Sequence, residues 1–170
     1  AEAATLLHTR ADRSTVVNEA LEILCRATEA DRALVFEHSA PPGGEPAMSH
    51  RFEWDRATGN YLMDSAAQQG ITYRSLGFER WHAALSAGHS ITGPVRSFPN
   101  GEKARLETEG VRSILLVPIF VENRFWGFIR LEDRHSERAW SEHERTILVA
   151  SAAAIGSALV HRRADEHLRQ

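Results

Sequence analysis

From Ser14 to Thr28 the apolar residues Val16, Val17, Ala20, Leu21, Ile23, Leu24 and Ala27 recur at three- and four-residue steps. That spacing lines one face of a helix, and Ser14 is a suitable N-cap. The pattern then shortens to Ala33-Leu34-Val35-Phe36-Glu37-His38, an apolar, partly β-branched run that predicts a strand. Ser39 to Pro46, with three prolines and two glycines, predicts a loop, and the alternation of His50-Arg51-Phe52-Glu53-Trp54 predicts a half-buried strand paired with the first. Asp55 to Leu76 has no sustained period and reads as a long, partly ordered connection. Phe78 to Ala87 returns to helical spacing and stops at Gly88, a short strand follows at Ser90 to Thr92, and Gly101 to Glu109 predicts a charged surface helix closed by Gly110.

The strongest apolar run is Ser113 to Val121, as expected of a central strand buried on both faces. Pro118 within it cannot donate to a ladder, which calls for a bulge or an unpaired edge. Glu122-Asn123-Arg124 is a polar turn, and Phe125 to Leu131 completes a hairpin. Ser141-Glu142-His143-Glu144 is a capping box that opens a last helix. Continued to Gln170, that helix would run about 43 Å and project beyond the body.

Composition narrows the class. At 170 residues, 42% apolar and 25% charged, the chain suits one globular domain, residues 1–160, with 161–170 as an extension of the last helix. A net charge of −3 supplies no broad positive field, which argues against nucleic acid and anionic membranes as partners. The lone Cys25 allows no internal disulfide and no cysteine-built zinc site, consistent with a reducing compartment; on an apolar helix it reads as a small core hydrophobe. No apolar stretch reaches the ~20 residues of a membrane span and no signal-peptide pattern opens the chain, so the expected location is cytoplasmic. Without an initiating Met and with polar helical ends, it reads as a segment of a longer protein.

Ser113-Ile114-Leu115-Leu116-Val117-Pro118-Ile119, Phe125-Trp126-Gly127-Phe128-Ile129 and Trp140-Ser141-Glu142-His143-Glu144, in this order and spacing, resemble the GAF domains of bacterial multidomain sensors such as histidine kinases and cyclic-di-nucleotide enzymes. The resemblance extends from about Ser14 to Val160. It implies an α/β fold of the α+β type, with a central antiparallel sheet of about five or six strands. The first and last helices would pack on one face, and a ligand pocket would lie on the other. GAF domains do not share one ligand. Covalent bilin attachment, methionine-sulfoxide reduction and cyclic-nucleotide binding are disfavoured, because Cys25 is mid-helix, it is the only cysteine, and no Asn-Lys signature is present. The cofactor is therefore unknown.

No constellation points to catalysis. There is no Gly-x-Ser-x-Gly, and Gly43-Gly44 leads into Glu45-Pro46 rather than a phosphate-binding helix start. The nine histidines lack the i,i+4 pairing of a helical metal site, so no metal is expected, although His82 or His89 could serve as an axial haem ligand. On the second hairpin strand, alternation groups Trp126, Phe128 and Arg130 on one face, which the resemblance makes the pocket side. There Arg130 either meets an anionic ligand or snorkels to water and pairs with Glu132. A regular hairpin register would add Ser113, Leu115 and Val117 to that face. Trp81 would close the pocket from the helical side unless it is core, and Arg96, in a loop, is a further polar candidate.

The expected function is therefore a regulatory, non-catalytic sensor of an unidentified small molecule, attached to an output domain in the same polypeptide. The alternative is a ligand-free dimerisation module whose pocket is filled by Trp126, Phe128 and Trp81. A homodimer would use one of two stripes on the last helix, Ile147, Ser151, Ala154 and Ala158 or Leu148, Ile155 and Leu159, the other covering the sheet.

Overall fold

A computed structural model describes the backbone of residues 2–168 and the side chains of residues 14–160. The expected 161–170 extension falls outside the described side chains. In chain order the elements are α1 (Glu2–Thr28), β1 (Arg32–Ser39), β2 (Ala47–Asp55), β3 (Asn60–Met63), β4 (Ile71–Thr72), α2 (Tyr73–Leu76), α3 (Glu79–Ser86), β5 (Ile91–Pro94), α4 (Asn100–Thr108), β6 (Ser113–Val121), β7 (Arg124–Asp133) and α5 (Glu142–Leu168). The strands form one antiparallel sheet in the order β3-β2-β1-β7-β6-β5, with two-residue β4 also on β2. The stretch without periodicity thus contains β3, β4 and α2, elements too short for a period to establish itself.

Each long element begins or turns where its local chemistry demands. Glu122 and Asn123 both take positive φ, 52° and 64°, the pair a two-residue hairpin turn needs between Val121 and Arg124. The capping box forms in both directions: Glu144 N–H donates to Ser141 Oγ at 3.1 Å and Ser141 N–H to Glu144 Oε1 at 2.8 Å. β5 pairs with β6 only as far as Leu116, so Pro118 lies beyond the ladder on that edge and removes no donor from it.

The sheet divides two cores. On one face Ala33, Val35, Phe52, Trp54, Leu115, Val117, Ile119, Ile129 and Leu131 pack with Val17, Leu21, Leu24 and Cys25 of α1 and Leu148, Ala152, Ile155 and Leu159 of α5. On the other, Leu34, Phe36, Ile114, Leu116 and Phe128 pack with Phe78, Trp81 and Leu85 around α3, and with Leu106 of α4. α4 is more than a surface helix, because Glu102 and Leu106 are buried.

Two register shifts decide which side chains share a face. In β1–β2 the pairing passes from Val35↔Phe52 to Phe36↔His50, which leaves Arg51 as the extra residue and brings His50 and Glu53, three apart, onto one face. In β6–β7 it passes from Ile119↔Gly127 to Phe120↔Phe125, which leaves Trp126 as the extra residue. Trp126 therefore joins the helix-side core and Phe125 the opposite one. Leu115 and Val117 also belong to the helix side, since their cross-strand partners are Leu131 and Ile129. Ser113, opposite Asp133, is spent on the turn after β7: its Oγ donates to the Ser136 carbonyl at 2.6 Å and accepts from Arg138 N–H at 2.7 Å. The expectation of a regular register grouping Ser113, Leu115, Val117 and Trp126 with Phe128 and Arg130 is thus corrected by strand alternation and one bulge.

Candidate functional site: a charged cleft around Arg130

On the face away from α1 and α5, Arg130 of β7 sits opposite Leu34 of β1 and Leu116 of β6. It is 4% exposed. A buried guanidinium persists only where carboxylates meet it. Glu132 supplies one, with Oε2 2.6 Å from Nε, and Glu109, at the C-terminal end of α4, supplies another, with Oε2 3.0 Å from Nη2. The Nε contact is a close ion pair without hydrogen-bond alignment, whereas Nη2 donates to Glu109. Burial opposes the charge on Arg130, yet these two carboxylates outweigh it and raise its pKa above the usual arginine value. The guanidinium carbon also lies 5.8 Å from the Trp81 ring centroid, the range of a cation–π contact.

Glu132 is fully buried and is shared. Arg32 Nη2 lies 2.9 Å and Arg134 Nη1 3.3 Å from its Oε1. Arg32 also reaches Glu53, Nη1 to Oε2 at 3.6 Å. His50 Nδ1 accepts from Ser65 N–H at 3.2 Å, so its proton sits on Nε2 and is donated to Glu53 Oε1 at 3.0 Å. Burial pushes the Glu53 carboxyl up, but the His50 hydrogen bond and the charges of Arg32 and Arg130 prevail and lower its pKa. Three guanidiniums, Arg32, Arg130 and Arg134, are thereby balanced by three carboxylates, Glu132, Glu53 and Glu109.

Above this network lies a cleft of about 290 Å³ lined by Arg32, Leu34, Phe36, Gln68, Glu109, Arg130 and Arg134. A second, open groove of about 560 Å³ runs between the α2–α3 connection and α4, and Glu109 lines it as well. Beneath the cleft the face is filled. Phe78 and Trp81 stack with centroids 3.7 Å apart, Trp81 meets Phe128 edge-on at 6.5 Å, and Phe128 stacks on Phe36 at 5.3 Å. Trp81 Nε1 donates to buried Glu102 at 2.7 Å, and Arg80 donates to the same carboxylate.

Of the residues singled out from the sequence, Arg130, Phe128 and Trp81 come together here. His82 does not: it stacks on His38 with centroids 5.0 Å apart, beside Tyr73 and Phe125. His89 is exposed after α3. Arg96 is exposed and pairs with Glu137 at 3.0 Å. Arg130 pairs with Glu132 as one of its two readings holds, but it is buried rather than extended to water. Sequence reading missed Arg32, Arg134, Glu53, His50 and Glu109; the one signal for Glu109 is its place directly before the helix-closing Gly110. Asp31, Asp133 and His135 bring ligand-type atoms within 4.8 Å of one another. Those carboxylates are engaged in shaping the turn after β7: Asp133 accepts from His135 N–H, Ser136 N–H and Ser136 Oγ, and Asp31 from Arg134 N–H.

This sheet, with two long helices on one face and a cleft on the other, defines an α+β domain built on a single antiparallel sheet. The GAF domain family model matches residues 12–159, and the chain belongs to that family. It is 37% identical over 152 residues to the methanogenesis regulatory histidine kinase FilI of Methanothrix harundinacea (strain 6Ac), covering 89% of this chain and 17% of that protein. Among solved structures it resembles the green-light-absorbing state of NpR6012g4, a red/green cyanobacteriochrome, with TM-score 0.68, 19% identity and coverage of 94% of this chain and 99% of that one. It also resembles a domain described as belonging to a two-component sensor histidine kinase from Sinorhizobium meliloti 1021, with TM-score 0.61, 18% identity and coverage of 92% and 96%. The chain is thus a signalling domain of the GAF family with a histidine kinase relative.

Covalent attachment of a bilin pigment does not fit these residues. Cys25 packs in the core between the sheet and the two long helices, on the far side of the sheet from the cleft. Burial raises its thiol pKa to about 12, so it carries no thiolate near neutral pH.

Proposed function

We propose that this domain is the cytoplasmic input module of a sensor histidine kinase, and that it reads a small molecule in the Arg130 cleft. The observation that carries this reading is the buried Arg130 guanidinium lining an open cleft. A cleft of about 290 Å³ is at the small end of ligand sites, which suits a metabolite rather than a large pigment. The ligand would act only through preference for one arrangement of the surrounding helices over another. Kinase activity would belong to an output domain in the same polypeptide. Native mass spectrometry of freshly purified protein tests this: a reproducible excess mass that disappears in a folded Arg130→Ala variant is the expected result, and bare-chain masses count against it.

A second reading is favoured by the packing of Phe36, Phe78, Trp81 and Phe128, which fills the face beneath the cleft. On that reading the domain serves as a ligand-free spacer and dimerisation module. A homodimer is part of both readings. Leu148, Ala152, Ile155 and Leu159 cover the sheet, and Ile147 and Ala158 are half-buried on the same core; among the described residues from Val149 onward, Val149, Ala150, Ala153, Ala154 and Ser157 are exposed on α5. Val16 and Ile23 of α1 are exposed as well, at 52% and 66%.

A further inference from the structure

We infer that the cleft takes a small organic carboxylate, and that Glu109 is its built-in stand-in on Arg130 until the ligand arrives. This rests on the reading of the Arg130 cleft as a ligand site.

The three carboxylates of the network are not equivalent. The Glu132 and Glu53 side chains are 0% and 9% exposed and each meets further partners, Arg32 and Arg134 for the first, Arg32 and His50 for the second. The Glu109 side chain is 38% exposed, contacts the network through one hydrogen bond to Arg130 Nη2, and lines both the cleft and the outer groove. Swinging it into water costs that one charge-assisted bond and regains hydration.

The backbone does not need to follow. Arg134 Nη2 donates to the Glu109 carbonyl at 2.6 Å, where a cation complements a helix C-terminus, and this bond is independent of the Glu109 side chain. Gly110 makes room for it, since a Cβ there would meet Arg134 Nη2 at 3.0 Å in a backbone with φ of 79°. The α4 terminus therefore stays pinned while the carboxylate leaves.

Charge selects the replacement. With Glu109 in water, Arg32, Arg130 and Arg134 face only Glu132 and Glu53, so one positive charge is left without a partner in a largely buried place. A carboxylate on Arg130 Nη2 restores neutrality with the same geometry. A neutral amide leaves the deficit, and a cation increases it. Leu34 and Phe36 supply apolar walls and Gln68 adds a polar residue to the lining, which suits a carboxylate borne on a short organic body.

The test is isothermal titration of the 170-residue chain with acetate, succinate and benzoate at constant ionic strength, against succinamide and benzamide. It is run on the wild type and on Glu109→Gln, which keeps shape and removes the competing charge. The expected result is that at least one carboxylate binds, that its amide does not, and that Glu109→Gln tightens binding by about tenfold. Arg130→Met should abolish it, with far-UV circular dichroism reporting whether that variant folds; the Glu109→Gln comparison stands without it. Equal carboxylate affinity in wild type and Glu109→Gln overturns the stand-in role while leaving the cleft a ligand site. An amide binding as well as its acid overturns the ligand class. No binding of any probe to either protein overturns the inference, and bare-chain native masses in addition would remove the cleft reading with it.

Discussion

Glu132 and Glu109 both meet Arg130, but their surroundings give them opposite weights. Glu132 is fully buried among three arginines, so Glu132→Gln leaves uncompensated positive charge inside the protein and should cost about 3 kcal/mol. The Glu109 side chain is 38% exposed, so water takes over part of what it gives Arg130, and Glu109→Gln should cost about half as much. Urea unfolding of the two variants side by side checks the contrast; similar losses would mean that burial does not set the weights. His38 makes a second residue-scale case. Burial, and then the nearby His82, hold its pKa below the usual histidine value. The unfolded chain therefore binds a proton first as pH falls below about 6.5, so this group's contribution to stability is full above that value and is lost on acidification. The urea midpoint should fall between pH 7.5 and 5.5, and His38→Gln should flatten that slope. Of this chemistry the sequence made Arg130 legible, because alternation places it beside Phe128. Glu53 and His50 were not legible, because they share a face only through the extra residue Arg51.

The elements were more readable than their registers. The capping box, the hairpin turn and the β6 run are encoded within a few neighbouring residues, so α5, β6 and β7 could be located by local reading. β3 and β4 span four and two residues and are held by pairing with β2, a contact that no local pattern records. The bulge opposite Ile119 and Phe120 is likewise a property of two strands together, which is why Trp126 changes faces. The adjoining Gly127 shows what that junction demands. A Cβ there would sit 2.0 Å from the Phe36 carbonyl oxygen, so β1 and β7 can close only over a residue without a side chain. Gly127→Ala should cost about 3 kcal/mol through strand displacement. Chemical denaturation measures it, and a loss under about 1 kcal/mol would show that β1 yields easily.

At the scale of the whole molecule, the sheet separates a charged cleft from a helical pair, and any message between them must cross it. Leu34 and Arg130 face the cleft, while their chain neighbours Val35, Ile129 and Leu131 touch the core of α1 and α5, so adjacent residues on the same strands meet both layers. Among the described residues no helix is long and apolar enough to cross a membrane. The outer surface of the helical pair nevertheless exposes Val16, Ile23 and Val149, at 52%, 66% and 47%. Val16 and Ile23 are seven residues apart and fall on one stripe of α1, and the small residues Ala150, Ala153 and Ala154 of α5 would permit close approach of a second copy. If two copies associate through these helices, the Ile23→Glu, Val149→Glu double variant should shift the protein to monomer in analytical ultracentrifugation. Its unfolding midpoint at low protein concentration should stay unchanged, because both side chains face solvent in the single chain. A dimer that survives the double variant would move the interface elsewhere, and a monomeric wild type would remove the helical pair as the point where two subunits compare their state.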